Sequence, residues 1–376
     1  MSSPVSPDAS AVVELLRELV AIPSVSGGEE IVRDHLVNWL NARGVAAQAH
    51  GRNVIATVEG TAPSTDAARG LLLCTHTDVV PVGTGWTRDP WDGALEDGRV
   101  FGRGSNDAKS SVAAMAVTAA TIDPKHLSGR LVLALVCDEE TGGEGIEACA
   151  SDLPAYTAAV VGEPTGLDVC PGQRGLLRAR ITARGKSCHA SRPWEGENAL
   201  TVAARDVLAV QSLDLPGNDP LLGRATLQCT VMSGGERHNV IPAECTIELD
   251  GRPTPGCDND AMLALLRGAV SSEVTVSSSR FLPVSTDAGS ELVTLARAAS
   301  PTGVVRGFGG LSDLFHLRHV PGVVMGPGTS EASHAPDEWV AVEQVEAAVT
   351  AYSSIAVNYL RAAHAAPQQT LEEAGA

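Results

Sequence analysis

The chain has 376 residues, long enough for two cores of ordinary size. Hydrophobic residues make up 44% and charged residues 19%, which excludes a disordered chain and a coiled coil. The formal net charge is -18, aromatics are 3% of the chain, and no Lys/Arg run interleaves with them, so nucleic acid and an anionic membrane surface are not expected partners.

MSSPVSPDAS at the start carries no basic region followed by an apolar run, so no secretory signal is expected. Val12, Val13, Leu16, Leu19 and Val20 then recur at helical spacing, with Asp8 or Ser10 placed to cap the start. A second amphipathic helix over 28–43 presents Val32, His35, Leu36, Trp39 and Leu40 on one face, and Gly44 fits its C-terminal cap. Apolar strands alternate with helices from there: a strand at 71–76, a helix at 108–122, and strands at 131–137 and 158–163. These runs are too short to span a bilayer, and continuous apolar strands between helices predict a mostly parallel sheet covered on both faces.

After Gly175 the pattern changes. Residues 176–184 alternate like a strand with one wet face, followed by a helix at 197–212, strands at 225–232 and 243–250, a helix at 259–270 and a strand at 273–280. That β-α-β-β-α-β order is the ferredoxin-like plan. A helix at 289–299, a strand at 322–326 and a helix at 343–361 resume the α/β pattern, and 361–376 is expected to fray into a tail. The expected fold is an α/β domain of residues 1–174 and 285–376, with an α+β domain of residues 175–284 inserted in it. Eight cysteines lie between Cys74 and Cys257 with no CxxC pair, several within apolar runs, so free thiols in a reducing cytoplasm are expected.

Candidate chemistry gathers where the α/β strands end. His76 ends the first, with Asp78 two residues on, and Asp107 opens the next helix. Asp138, Glu139 and Glu140 follow the 131–137 strand, Glu163 ends the next, and His334 follows the strand at 322–326. Ligands of open α/β sheets bind beyond the carboxyl ends of the strands. A His and carboxylate set without thiolate suits zinc, with cobalt or manganese as substitutes. Singly, each residue has a plainer reading: a structural His, a solvated acidic loop, a helix N-cap. Their coincidence at strand ends is what points to metal. Residues i and i+2 of a strand share a face, so Asp78 is placed to accept the second ring N–H of His76.

Other motifs fall short. Gly185-Lys186-Ser187 lacks the earlier Gly of a phosphate loop, because position 180 is Arg180. FGRGSND (101–107) lacks a third Gly, no GxSxG occurs, and Cys188 and His189 point opposite ways on an extended chain.

Six stretches occur in order: LLLCTHTDVVPVGTGWTRDPWDGALEDGRVFGRGSNDAKSS, ALVCDEETGGEG, VVGEPT, GKSCHASRPWEGENAL, RHNVIP and GPGTSEASHAPDEWV. From about Leu15 to Tyr359 the chain thereby resembles the acetylornithine deacetylase, succinyl-diaminopimelate desuccinylase and carboxypeptidase G family of dinuclear zinc hydrolases. The resemblance implies two divalent metal ions per chain, zinc above others, in an α/β domain with an inserted lid that forms a homodimer. By motif it implies that Asp107 bridges the metals, with His76 and Glu163 completing one site and Glu140 and His334 the other. Glu139 would be the general base, taking a proton from the attacking water and passing it to the leaving amine. His189 would stabilise the oxyanion from the lid of the partner subunit. Arg252 and Asn239 would contact the substrate carboxylate and backbone.

Two departures bear on the substrate. GGLSDLFH (309–316) resembles the desuccinylase pattern at Ser312-Asp313 but lacks the Arg that follows it, and GPG at 326–328 is more like the acetylornithine deacetylases. The implied activity is therefore hydrolysis of the amide bond of a small N-acyl amino acid, with N-acetylornithine leading and N-succinyl-diaminopimelate second. A dipeptidase or aminoacylase of the same chemistry is the alternative. A non-catalytic metal- or partner-binding protein is the reading from another class, and the intact Glu139 argues against it.

Overall fold

The computed structural model describes residues 9–62 and 69–361. Asp8 and the stretch 362–376 lie outside the described residues. The chain forms two compact units, Met1–Pro164 with Pro327–Ala376, and Thr165–Gly326.

The first unit opens with α1 (Ala9–Val20) and α2 (Glu30–Asn41), then the hairpin β1 (Ala46–His50) and β2 (Asn53–Glu59). There follow β3 (Gly70–His76), the short strands β4 (Leu95–Glu96) and β5 (Arg99–Phe101), α3 (Lys109–Thr121), β6 (Arg130–Val136), α4 (Glu144–Cys149) and β7 (Ala158–Val161). All seven residues of β3 are buried, as the unbroken apolar run requires. β3 pairs in parallel with β6 and with β7, and its register sets His76 opposite Val136, so the carboxyl ends of β3 and β6 are level. β2 and then β1 extend the sheet antiparallel on the far side of β6. The hairpin was not foreseen in the sequence, because AAQAH shows no apolar period. α3 is buried on every side from Lys109 to Ala119, as a helix apolar all round must be. On α2, Val32, Leu36, Trp39 and Leu40 are buried, but the ring of His35 stays at the surface, 3.1 Å from Glu18.

The second unit contains β8 (Gly172–Gln173), β9 (Leu177–Arg184), β10 (Cys188–His189), α5 (Ala199–Gln211), β11 (Thr226–Gly234) and β12 (Val240–Ile241). It continues with β13 (Glu244–Arg252), α6 (Asn259–Ala269), β14 (Glu273–Ser278), β15 (Val284–Ser285), α7 (Glu291–Ala299) and β16 (Gly322–Val324). An antiparallel sheet in the order β11-β13-β9-β14, with two helices of the same plan, is the ferredoxin-like arrangement. Leu177, Ala179, Ile181 and Ala183 alternate inward from β9 to meet Ala203, Met262 and Leu266 of the helices. Asn198 and Asp258 cap those helices with their side chains. The stretches 165–174 and 285–326, which the sequence pattern placed with the α/β domain, pair with each other. β8 pairs with β15, and Val169, Cys170 and Gln173 bridge to Val305, Val324 and Phe308.

The chain returns to the first unit for β17 (Trp339–Ala341) and α8 (Val342–Tyr359). β17 pairs with β5, and α8 packs against α1 and α3 through residues including Val345, Val349, Tyr352 and Ile355. All eight cysteines are free. Among the described residues no helix is long and apolar enough to cross a membrane.

Beneath the turn that follows β6, Asn53 donates to the carbonyl of Gly145 at 2.8 Å and accepts the N–H of Cys137 at 2.9 Å. This draws α4 against the backbone so tightly that a Cβ on Gly145 would stand 2.1 Å from the Cys137 carbonyl oxygen. Gly145→Ala is expected to destabilise the protein by about 1–3 kcal/mol, seen as a lower urea midpoint. An unchanged midpoint would show that the approach is not a constraint.

Candidate metal centre

His76 stands at the end of β3 and is 1% exposed. Asp107 precedes α3, and the peptide bond after it is cis. Glu139 and Glu140 follow the end of β6 in a single turn of 3-10 helix, and Glu163 lies two residues beyond β7. His334 belongs to the turn that leads into β17 and has a left-handed backbone, with φ 62.

These side chains gather as two groups, His76–Glu139–Glu163 and Asp107–Glu140–His334, whose donor atoms lie within 4.8 Å of one another in each group. Asp107 stands between the two histidines. One carboxylate oxygen is 3.3 Å from His76 Nε2 and the other is 3.6 Å from His334 Nε2. Glu163 lies 3.9 Å from His76 Nε2, and Glu140 lies 2.9 Å from His334 Nε2. The structure thus brings together every residue that the sequence offered as a metal ligand, with Glu139 among them.

Asp78 is fully buried behind the two groups. Its carboxylate accepts the backbone N–H groups of Glu139 at 3.1 Å and Glu140 at 3.2 Å, and the Ser26 hydroxyl at 2.7 Å. The contact expected with His76 differs in detail. Nδ1 is 3.0 Å from the Asp78 carbonyl oxygen and 3.5 Å from its carboxylate. β3 stops at His76, so the same-face rule for i and i+2 does not reach Asp78. Either oxygen fixes the ring with Nε2 facing Asp107.

The electrostatics follow from the crowding of carboxylates. Burial works against a charged His76, yet hydrogen bonds to Asp107 and Asp78 and the charge of Glu163 outweigh it, raising its pKa well above the usual value. The bond to Glu140 raises His334 against burial, helped by Asp107. Conversely, burial would raise Asp107, but His76 lowers it on balance. With Asp78, five acidic side chains face two imidazoles. That is the environment a divalent cation neutralises, and a donor set of imidazole and carboxylate without thiolate fits zinc, cobalt or manganese.

Several supporting residues, Asp138 aside, had not been singled out in the sequence. Asp138, with φ 58, sits between β6 and Glu139, and the Arg52 guanidinium clasps both its carboxylate and that of the wholly buried Glu29. Glu338 and Arg103 form a second buried pair beside Asp107. Apart from Asp138, which stands at a strand end, none has a signal of its own in sequence, since a charged residue on a short loop reads as solvated.

The remaining three candidates belong to the second unit. His189 is exposed on β10, its Nδ1 2.7 Å from the Ser191 hydroxyl. Val240 is its neighbour across the β10–β12 pair, and the carbonyl of Asn239, just before β12, accepts the N–H of Ala190 at 2.9 Å. Arg252 ends β13 with its guanidinium forked onto Asp250, at 2.7 and 3.2 Å.

The chain is 28% identical to a probable carboxypeptidase of Emericella nidulans, over 93% of this chain and 89% of that one. It is 31% identical to an acetylornithine deacetylase of Proteus mirabilis, over 65% of this chain and 67% of that one. With a succinyl-diaminopimelate desuccinylase of Cereibacter sphaeroides it shares 30% identity over 92% of this chain and 98% of that one. The fold is that of the aminopeptidase PepT from Bacillus cereus, with a TM-score of 0.79 at 20% identity over 94% of this chain and 99% of that one. The pattern of peptidase family M20/M25/M40 matches residues 72–358, and the chain belongs to that family of hydrolases.

Proposed function

We propose that this protein is a dinuclear zinc amidohydrolase that removes the acyl group from a small N-acyl amino acid, with N-acetylornithine as the leading substrate. The observation that carries the reading is the placement of Asp107 between two groups of donors, one led by His76 and one by His334. His76 and Glu163 would hold one ion, Glu140 and His334 the other, and Asp107 both. Bound there, the ions would polarise the scissile carbonyl and bring the pKa of water from ~15.7 towards about 7.

The residues of the chain supply the rest. Glu139 is only half-buried, its backbone is held by Asp78, and its carboxylate lies among the His76 and Glu163 donors. In this reading it accepts the proton of the attacking water and returns it to the leaving nitrogen, which departs as an amine. His189 is the donor to the oxyanion, and Asn239 and Arg252 bind the backbone and carboxylate of the substrate. Arg252 would exchange its fork on Asp250 for the substrate carboxylate. Eight free cysteines are in keeping with a reducing cytoplasm as the place of action.

Chelation is expected to abolish activity, and full activity in rigorously metal-free protein would overturn the reading. Glu139→Gln should lower kcat by ~10²–10⁴ with metal still bound, whereas Glu140→Gln should weaken metal binding, as metal analysis beside steady-state kinetics would show.

The acyl group is read from GPG at 326–328 and from relatives carrying deacetylase and desuccinylase names. The carboxypeptidase name of another relative favours a second reading, a peptidase of the same chemistry. In a panel of acetyl-, succinyl- and aminoacyl-amino acids, N-acetylornithine or a close N-acyl diamino acid is expected to exceed free dipeptides in kcat/KM. A dipeptide ahead by more than about tenfold, or 1.4 kcal/mol, would transfer the protein to the second reading.

We also propose a homodimer formed through the lid, with His189 serving the site of its partner. Inactive His189→Ala and Glu139→Gln chains, mixed and allowed to exchange, should then recover up to about a quarter of wild-type activity, since a mixed twofold dimer has one intact site. No recovery despite proven exchange would reject the shared site.

A further inference from the structure

β5 and β17 pair antiparallel, with Trp339 opposite Phe101, and the N–H of Gly102 donates to the carbonyl of Glu338 at 2.8 Å. The loop that ends in Asp107 and the turn that begins at His334 therefore leave this strand pair side by side. The Glu338 side chain is wholly buried between them. Its Oε1 accepts three backbone N–H groups in succession, from Gly104 at 3.0 Å, Asn106 at 3.0 Å and Asp107 at 3.1 Å. Its Oε2 pairs at 2.5 Å with Arg103, itself 2% exposed, whose other nitrogen lies 3.5 Å from the carbonyl oxygen of His334. Asn106 adds a parallel tie, with its amide nitrogen 3.0 Å from both the Thr329 carbonyl and the Ser333 hydroxyl.

A buried carboxylate that is satisfied by three amides and a guanidinium is held firmly, and removing it strands all of its partners. Here those partners are the backbone of one metal-ligand candidate and the strand approach of another. Both Glu338 oxygens are occupied, so it is no donor to an ion. We propose that Glu338 is a positioning residue for the metal pair, holding Asp107 and His334 at the separation that the Asp107–Glu140–His334 group needs to bind its ion. The inference rests on the dinuclear reading above. His334 gives it weight: its side chain is 52% exposed and its backbone left-handed, so packing around the ring does not fix it. The His76–Glu163 group shares Asp107 but is buried at the ends of two sheet strands, so it depends on this contact through Asp107 alone.

The test is calorimetric titration of metal-free protein with zinc, repeated with cobalt(II) followed by its visible absorption. Wild type should show two binding events. In Glu338→Gln one event should weaken about 10–100-fold, the usual effect of losing a partner behind a ligand, while the other, which shares Asp107 only, should weaken at least about threefold less. The zinc concentration needed for half-maximal activity should rise by the same factor, with kcat recovering at high zinc. A purely structural role would instead weaken both events alike, without recovery by zinc. Should Glu338→Gln not fold, the double variant Arg103→Met with Glu338→Leu removes both charges of the buried pair and carries the same expectation. Two wild-type affinities in a folded variant, or equal weakening of both, would overturn the role of Glu338 alone. Failure of wild type to take up two ions would sink the dinuclear reading and this inference with it.

Discussion

Asp78 holds the centre together. A carboxylate with no exposure needs hydrogen bonds to stay charged, and Asp78 has them from Ser26 and from the backbone of Glu139 and Glu140, with His76 alongside. Burial would raise its pKa, but His76 first, then Ser26 and Glu139, keep it below the ordinary range. The bonds join the end of β3 to the turn after β6, and so fix one residue of each candidate metal group to the same anchor. They are possible because β3 and β6 are parallel and end level. An antiparallel neighbour would have brought the wrong end of its strand to this place.

The turn itself needs help. Asp138 adopts a left-handed backbone, which costs a non-glycine residue on the order of 1 kcal/mol, and it is kept there by Arg52 and Glu29. Those partners come from the β1–β2 hairpin and from the start of α2. The outer layers of the sheet thus support the two carboxylates at its centre, although they lie far from them in sequence.

The division between what could and could not be read follows from these contacts. β3, β6 and β7 were legible because each is an unbroken apolar run, and the chemistry was legible because it sits where those runs stop. The β1–β2 hairpin was not, since β1 is largely exposed and has no period, and with it went any view of Arg52. Glu338 stood inside a recognised stretch, but its purpose depends on the pairing of two three-residue strands, β5 and β17, which leave no pattern. The expected carboxylate contact of Asp78 with His76 was displaced by the residue's own carbonyl because the strand ends one step too soon. Long-range backbone pairing, rather than composition, likewise brought 165–174 and 285–326 together.

The order of the chain has a consequence for how the centre comes into being on the ribosome. His76, Asp107, Glu139, Glu140 and Glu163 all precede Thr165, and the strands that carry them pair with one another. Domains tend to fold as their segments emerge. A nascent chain stopped just past Glu163 would already carry all of the His76–Glu139–Glu163 group. His334 is made only after the whole of Thr165–Gly326. The two groups are therefore completed at different moments of synthesis.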